Sequence, residues 1–322
     1  MNPKMQASDA ADFLNVSLQA IHKNIKTNHL ESFKNQNKMY FCHYTAKEIF
    51  KLNITPTCFT WQNLKGGVGK TNLSFATATR LSSYGLNVLV IDLDQQGNFT
   101  QACDIDAENK PVMFDIIKDS MNINDCIINV TDGLDILPSR IENALLDNLF
   151  AVNGLPVDRE LKKRITPLKK KYDVIFIDCP PSLSSSVCAA TLCADYVILP
   201  TDPEKFSLSG LYITLNEIKK NISERYDIEV NIKILLNKFD ARTNLSHQVL
   251  TALLSNDNFN SKLFKSFIRT SQEFPNSISK GLSIFDSLKP STAKEDIDLL
   301  CHEIIDLCKN HNWLRFLCRS NF

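Results

Sequence analysis

The sequence predicts an α/β fold, a doubly wound and mainly parallel sheet with a small N-terminal helical module, and three observations carry that reading. Runs such as Val88-Leu89-Val90-Ile91 and Val174-Ile175-Phe176-Ile177 are apolar on both faces, which suits central strands covered by helices on each side. Such runs alternate with helical stretches, the rhythm of a doubly wound α/β domain. A glycine-rich loop follows the first run and opens a helix, and ligands of such sheets bind beyond the carboxyl ends of the strands.

The 322 residues allow about two domains of ordinary size. A hydrophobic content of 43% with 22% charged residues is that of a soluble globular chain, so disorder is excluded as the main theme. The 36 Lys and Arg cancel the 36 Asp and Glu, and no global excess advertises a nucleic-acid partner. Locally the balance differs: residues 1–55 carry seven Lys against Asp9, Asp12, Glu31 and Glu48. The ten cysteines are scattered through apolar stretches, include no Cys-x-x-Cys and follow no secretory signal, so reduced, buried thiols in a cytoplasmic chain are expected. The longest uncharged run, residues 179–194, holds two prolines and falls short of the ~20 apolar residues that span a bilayer.

The N-terminal module, residues 1–55, reads as short helices. Ser8 is placed to cap a helix through Leu14, Asn15-Val16 to turn, and Ser17 to cap a second helix whose Leu18, Ile21 and Ile25 recur at helical spacing. This is a helix-turn-helix pattern, and Gln19, His22, Lys23 and Lys26 fall where a recognition helix carries its groove-facing residues. Residues 34–44 alternate loosely, as a small wing would. A third helix is expected to start at Thr45, which with Glu48 forms a T-x-x-E capping box. The alternative is a helical cap for dimerisation or protein contact. Residues 52–56 form the expected junction to a second domain, 56–322.

In that domain the candidate strands are residues 57–62, 87–92, 134–137, 173–178, 196–200, 232–237 and 263–268. After the first comes Lys65-Gly66-Gly67-Val68-Gly69-Lys70-Thr71-Asn72, then a helix ending near Tyr84-Gly85. Glycines let backbone amides point into a concave nest, and the helix N-terminus adds positive dipole. Lys70 neutralises phosphate oxygens, and Thr71 can ligate Mg²⁺. A nucleotide polyphosphate is the natural guest. The ordinary P-loop has Gly five residues before Gly69, where this chain has Leu64.

At these residues the chain resembles the ParA/MinD family of deviant Walker A ATPases, whose hallmark is K-G-G-x-G-K-[ST]. Asp92-Leu93-Asp94-Gln95-Gln96-Gly97 is similar to the family's second carboxylate motif, with Gln95 where proline is common. Asp178-Cys179-Pro180-Pro181 resembles its Walker B strand end. Residues 240–245 and 268–273 resemble the ParA branch. The resemblance implies ATP and Mg²⁺ as cofactors, Asp178 in the Mg²⁺ shell through water, and Asp94 orienting the attacking water, which suits phosphoryl transfer by positioning and charge neutralisation. Asp92 is a weaker candidate for the metal, or a cap of the following segment. Lys65 is implied to cross a nucleotide-sandwich homodimer to the partner's phosphates, and Asn72 replaces a frequent second Thr.

Asn237-Lys238-Phe239-Asp240 also spells the guanine signature N-K-x-D, but Leu64 and the lack of D-x-x-G after Asp178 favour ATP, with Asn237 and the turn containing Pro200 and Asp202 beside the base. Partitioning implies salt-sensitive, non-specific DNA binding, for which Arg269, Lys280, Lys289 and Lys294 are candidates, while Arg242 faces either DNA or the dimer interface. Also implied are operator DNA on the N-terminal module, a ParB-like centromere-binding partner that stimulates weak basal hydrolysis, and a nucleoid-associated, cytoplasmic location. Two alternatives remain: a MinD-like membrane-associated regulator, whose basic amphipathic end would have to be residues 312–319, and a nucleotide-sensing repressor without significant hydrolysis.

Overall fold

A computed structural model describes the backbone of residues 1–35 and 37–319 and the side chains as far as Lys309, Gln36 excepted. The chain opens with strand β1 (Met5–Gln6), helices α1 (Ala7–Leu14) and α2 (Leu18–Thr27), the hairpin β2 (Phe33–Asn35) and β3 (Lys38–Phe41), and helix α3 (His43–Phe50). The hairpin takes β1 as a third antiparallel strand in the order β1-β3-β2, and it stands where residues 34–44 suggest a wing. Asn15 ends α1 in the left-handed conformation, and the Ser17 hydroxyl accepts the Ala20 N–H at 3.2 Å, capping α2.

Three local expectations fail here. Ser8 lies inside α1 and its hydroxyl turns to Asp9, while Gln6 occupies the cap position without a side-chain bond. Thr45 lies inside α3, and its hydroxyl donates to the Glu31 carbonyl at 2.7 Å; a tertiary acceptor outcompetes the capping box. Leu18 is exposed, so Ile21 and Ile25 alone form the buried stripe of α2.

The second part is a seven-stranded sheet. Its elements are β4 (Thr57–Trp61), α4 (Lys70–Ser83), β5 (Val88–Asp92), α5 (Asn98–Ala102), α6 (Met113–Lys118), β6 (Ile128–Thr131), β7 (Leu134–Leu137), α7 (Leu146–Val152), α8 (Lys162–Ile165), β8 (Val174–Asp178), α9 (Ser185–Cys193), β9 (Tyr196–Thr201), α10 (Ser207–Ile218), α11 (Glu224–Tyr226), β10 (Ile232–Leu236), α12 (Asn244–Ser255), α13 (Asp257–Asn260), α14 (Glu273–Ile278) and α15 (Thr292–Arg319). The order is β10-β9-β4-β8-β5-β7-β6, parallel throughout except for β6, an antiparallel edge strand that the sequence reading did not include. Residues 263–268 are not a strand; they run beside β10 through the isolated bridge Ile234–Leu263 and a bond from the Ile268 N–H to the Leu236 carbonyl at 2.9 Å, and Arg269 bridges Phe239. Residues 312–319 continue the last helix, and their side chains lie outside the described residues.

Strands β4, β5, β8 and β9 are buried on both faces, as the apolar runs of β5 and β8 require. One core cluster runs from Met5, Ile21 and Phe41 through Leu73 and Leu81 of α4 to Val90, Phe176 and Ile304, so the N-terminal module shares its core with the sheet. At that seam Arg80 is fully buried. It pairs with Asp298 of α15, donates to Asp9 of α1 at 3.0 Å, and lies over the rings of Tyr84 and Phe285.

Candidate functional site

Parallel register sets the site. Trp61 of β4 pairs with Asp178 of β8, which pairs with Asp92 of β5, so three strand ends finish level. The crossovers leaving β4 and β8 go opposite ways, and the crevice between these strands is the topological switch point where such sheets bind ligands. A cleft of about 820 Å³ opens there. Gly66, Gly67, Gly69, Lys70, Thr71 and Asn72 line one side, and Asp94, Gln95, Gln96 and Asn98 the other. Gly67 and Gly69 take positive φ of 75° and 91°, the latter capping α4. A Cβ on Gly69 would also sit 2.4 Å from the Asn237 amide nitrogen, so the position excludes any side chain. Val68 does not line the cleft; its side chain is fully buried.

The charged groups converge on the first turn of α4. Thr71 Oγ1 donates to Asp178 Oδ2 at 2.8 Å, and Ser74, one turn further on the same helix face, donates to Oδ1 at 3.2 Å. Burial pushes the Asp178 carboxyl up to about 7, with Thr71 and Lys70 opposing. Burial lowers the Lys70 ammonium, while Asp178 and Asp94 pull it back up. Asp94 Oδ1 accepts the Gln96 N–H at 3.0 Å, and its carbonyl is fixed by the Ser139 hydroxyl at 2.7 Å, so the loop that presents this carboxylate is rigidly held.

Asp92 leaves the metal set. It is fully buried, and its oxygens accept the Thr100 N–H and hydroxyl at 3.0 and 2.8 Å and the Asp94 N–H at 3.1 Å. Burial, then the neighbouring Asp178 charge, raise its carboxyl to about 8. This aspartate caps α5 and shapes the Asp94 loop.

Lys65 is folded onto its own chain: Nζ lies 2.7 Å from Asp202 Oδ1 and 2.6 Å from Glu204 Oε2. Asp202 is therefore a partner of Lys65 and of the Ser207 hydroxyl, at 2.8 Å, and does not line the cleft. Pro200 belongs to β9, not to a turn, and its carbonyl accepts from Asn63 at 2.7 Å. Asn237 is buried and donates to the Val68 carbonyl at 2.8 Å; the next residue, Lys238, donates to the Gly67 carbonyl at 2.8 Å.

The DNA candidates divide. Arg269 is committed to α15: Nε and Nη2 reach Asp296 at 3.0 and 2.6 Å, and Nη2 also reaches Glu295 at 3.2 Å. Lys294 is buried, with Nζ donating to the Ser287 and Lys289 carbonyls at 2.5 and 2.6 Å. Neither is a free surface cation. Lys280 and Lys289 are exposed, and exposed Arg242 is bidentate to Asp240. In the N-terminal module Gln19, His22, Lys23 and Lys26 are all exposed, and His22 and Lys26 border a groove of about 730 Å³ between α2 and the hairpin, with His29 and Lys34 on its walls.

Sequence reading did not assign Ser74, Gln95, Gln96 or Asn98 to the site. Ser74 was recoverable from its i,i+3 spacing to Thr71; the others stand in or beside the carboxylate motif that presents Asp94.

Fold and cleft together define a P-loop nucleotide-binding protein of the doubly wound kind. A family model described as an AAA domain matches residues 57–234. The sporulation initiation inhibitor protein Soj of Bacillus subtilis is 34% identical over 209 residues, 64% of this chain and 81% of that one. The chromosome partitioning protein ParA of Myxococcus xanthus is 31% identical over 194 residues, 58% and 67% of the two chains. Among solved structures, a plasmid partition protein from Borrelia burgdorferi bound to AMPPNP superposes with a TM-score of 0.64 at 25% identity, covering 78% of this chain and 98% of that one. The chain belongs to the ParA/MinD-type ATPases, within that AAA-domain family.

Proposed function

We propose that this protein is an ATP-driven DNA-partitioning ATPase whose ATP-bound homodimer binds DNA without sequence preference. The observation that carries the reading is the convergence of Lys70, Thr71 and Asp94 on one cleft at the switch point, with the buried Asp178 bonded to Thr71 behind it. The donor set fits Mg²⁺: a hydroxyl and a carboxylate, both hard oxygens, 2.8 Å apart, with water and phosphate left to complete the shell. Among the described residues no group of three or more His, Cys, Asp or Glu could hold a metal ion by itself, so a site shared with phosphate is the fitting kind.

Bound ATP and Mg²⁺ supply the phosphoryl group and its counter-charge. The chain's own residues do the rest. The amides of residues 66–70 and the N-terminus of α4 cradle the phosphates, Lys70 neutralises their oxygens, Thr71 and Asp178 hold the metal shell, and Asp94 orients the attacking water. Lys65, released from Asp202 and Glu204, serves the partner's nucleotide across the dimer. Asn237 acts through the loop, at Val68, and adenine is the base of the reading.

Free cations support DNA binding at Lys280 and Lys289 on the sheet domain. Operator DNA is assigned to the N-terminal module, residues 1–55, where Gln19, His22, Lys23 and Lys26 are exposed on α2 and His22 and Lys26 border the basic groove. A ParB-like centromere-binding protein is the stimulating partner, and the location is cytoplasmic and nucleoid-associated. Among the described residues no helix is long and apolar enough to cross a membrane.

The test is binding to a random-sequence DNA duplex at one fixed, moderate ionic strength with ATP, a slowly hydrolysed analogue, ADP, GTP or no nucleotide. Tight binding with ATP or its analogue alone is expected. Binding that ignores nucleotide, or fails under all five conditions, overturns the partition reading.

A further inference from the structure

The geometry points to Lys238 as a positioning residue for the phosphate loop, acting on the loop's backbone and not on the base. This inference rests on the nucleotide-binding reading above. Asn237 and Lys238, consecutive residues beyond β10, donate to two consecutive loop carbonyls, Val68 and Gly67, each at 2.8 Å. In a trans peptide unit the carbonyl and the following N–H point opposite ways, and among the described residues there is no cis peptide bond. Drawing the Gly67 carbonyl toward Lys238 therefore turns the Val68 N–H away from it. Drawing the Val68 carbonyl toward Asn237 does the same for the Gly69 N–H. Neither Asn237 nor Lys238 lines the cleft, while Gly67 and Gly69 do, so the two bonds aim consecutive amides at the side where phosphate binds. Successive amides aimed into one concavity are the anion nest that a P-loop offers.

The backbone of Lys238 indicates that this arrangement is imposed. Its φ is +55°, left-handed and disfavoured for a residue with a Cβ. Neighbours hold it there: the Thr270 hydroxyl donates to the Lys238 carbonyl at 3.0 Å, the Phe239 N–H to the Ile268 carbonyl at 2.9 Å, and the Thr270 N–H to the Phe239 carbonyl at 3.0 Å. A strained residue fixed by its surroundings and reaching into a ligand loop is an outlier from which a function can be argued. The motif reading of N-K-x-D would instead put Lys238 and Asp240 on a guanine. Asp240, however, spends both carboxylate oxygens on Arg242, at 2.9 and 2.8 Å.

The experiment is calorimetric titration of the full-length wild type, Lys238→Met and Lys238→Arg with ATP, ADP and GTP in the presence of Mg²⁺. Met keeps the aliphatic stem and loses the donor; Arg keeps a donor. Lys238→Met is expected to weaken ATP and ADP alike, by about three- to tenfold, the size of one ordinary hydrogen bond at an exposed position. The ATP-to-GTP ratio and the melting temperature without nucleotide should hold at wild-type values, and Lys238→Arg should recover most of the loss. Unchanged affinity in Lys238→Met overturns the inference, as does a shifted ATP-to-GTP ratio, which would make Lys238 a base contact. A lowered melting temperature with unchanged affinity makes it structural only and also overturns it. A wild type that binds none of the three nucleotides removes the nucleotide reading itself, and this inference with it.

Discussion

Lys65 Nζ sits 2.7 Å from Asp202 Oδ1 and 2.6 Å from Glu204 Oε2, so the lysine proposed to reach a partner's phosphates is held by its own chain. For Lys65 to take up that proposed role, these bonds have to break. Asp202 is nearly inaccessible and also holds Ser207, whereas Glu204 is 63% exposed, so removing Glu204 perturbs the lysine alone. An exposed pair of this kind contributes about 0–1 kcal/mol. Glu204→Gln should therefore tighten AMPPNP-dependent dimerisation by up to about fivefold in sedimentation velocity at fixed salt. A weaker dimer would show that Glu204 serves the interface instead of competing with it.

In the proposed mechanism Asp94 and Asp178 have different tasks, water for one and the metal shell for the other, and substitution should separate them. Asp94 makes no side-chain bond to the loop that binds phosphate; its fixed partner is the Gln96 amide. Asp94→Ala should leave ATP affinity within about threefold of wild type and lower turnover by roughly 10²- to 10⁴-fold, the usual contribution of a positioned acid–base group. Single-turnover phosphate release beside equilibrium ATP binding reads both. Wild-type turnover in this variant would show that Asp94 does not carry the hydrolysis, whereas a wild type with no measurable turnover would make the chain a nucleotide sensor.

What the sequence disclosed depended on how local each determinant is. Runs apolar on both faces announced six of the strands, because a parallel strand covered by helices needs nothing else. The phosphate loop and Ser17 were legible because their partners lie within a few residues. Thr45 was misread for the opposite reason: it gives its hydroxyl to Glu31 across the module, and the pairing of Arg269 with Asp296, 27 residues away, was invisible on the same ground. Asp92 stood one strand end from a metal candidate, and only the placement of Thr100 decides that it caps a helix. Residues 263–268 have a strand's composition, but only Leu263 and, just beyond the run, Arg269 form bridges.

Arg80 ties the helix that starts at the phosphate loop to both ends of the chain, through Asp9 of α1 and Asp298 of α15. Its guanidinium is inaccessible, and removing its main counter-charge leaves a buried charge poorly paired, which costs about 3–5 kcal/mol. Asp298 bonds two guanidinium nitrogens and also accepts from Tyr84, while Asp9 bonds one. Asp298→Ala should thus lose roughly 3 kcal/mol in urea denaturation, and Asp9→Ala about 1 kcal/mol. Equal losses would place the weight of the seam on α1.

His302 gives that seam a pH dependence. Its Nε2 lies 3.1 Å from the Tyr84 hydroxyl, which spends its own proton on Asp298; Nε2 therefore carries hydrogen and donates. The ring packs on Phe13 of α1 with centroids 4.6 Å apart. The charged groups around it are Asp298, Asp306 and Lys309 of α15 and Arg80 of α4; burial outweighs the carboxylates and lowers its pKa below the ordinary 6.5. A histidine depressed in the folded state protonates first in the unfolded chain. As pH falls through about 6.5 the unfolded state therefore binds more protons, and stability drops until the folded pKa is passed. His302→Gln lacks this loss. The stability gap between wild type and His302→Gln should consequently narrow between about pH 7.5 and about pH 5.5 in urea titrations at constant ionic strength. A gap that stays constant or widens across that window would mean that His302 charges as readily in the fold as out of it.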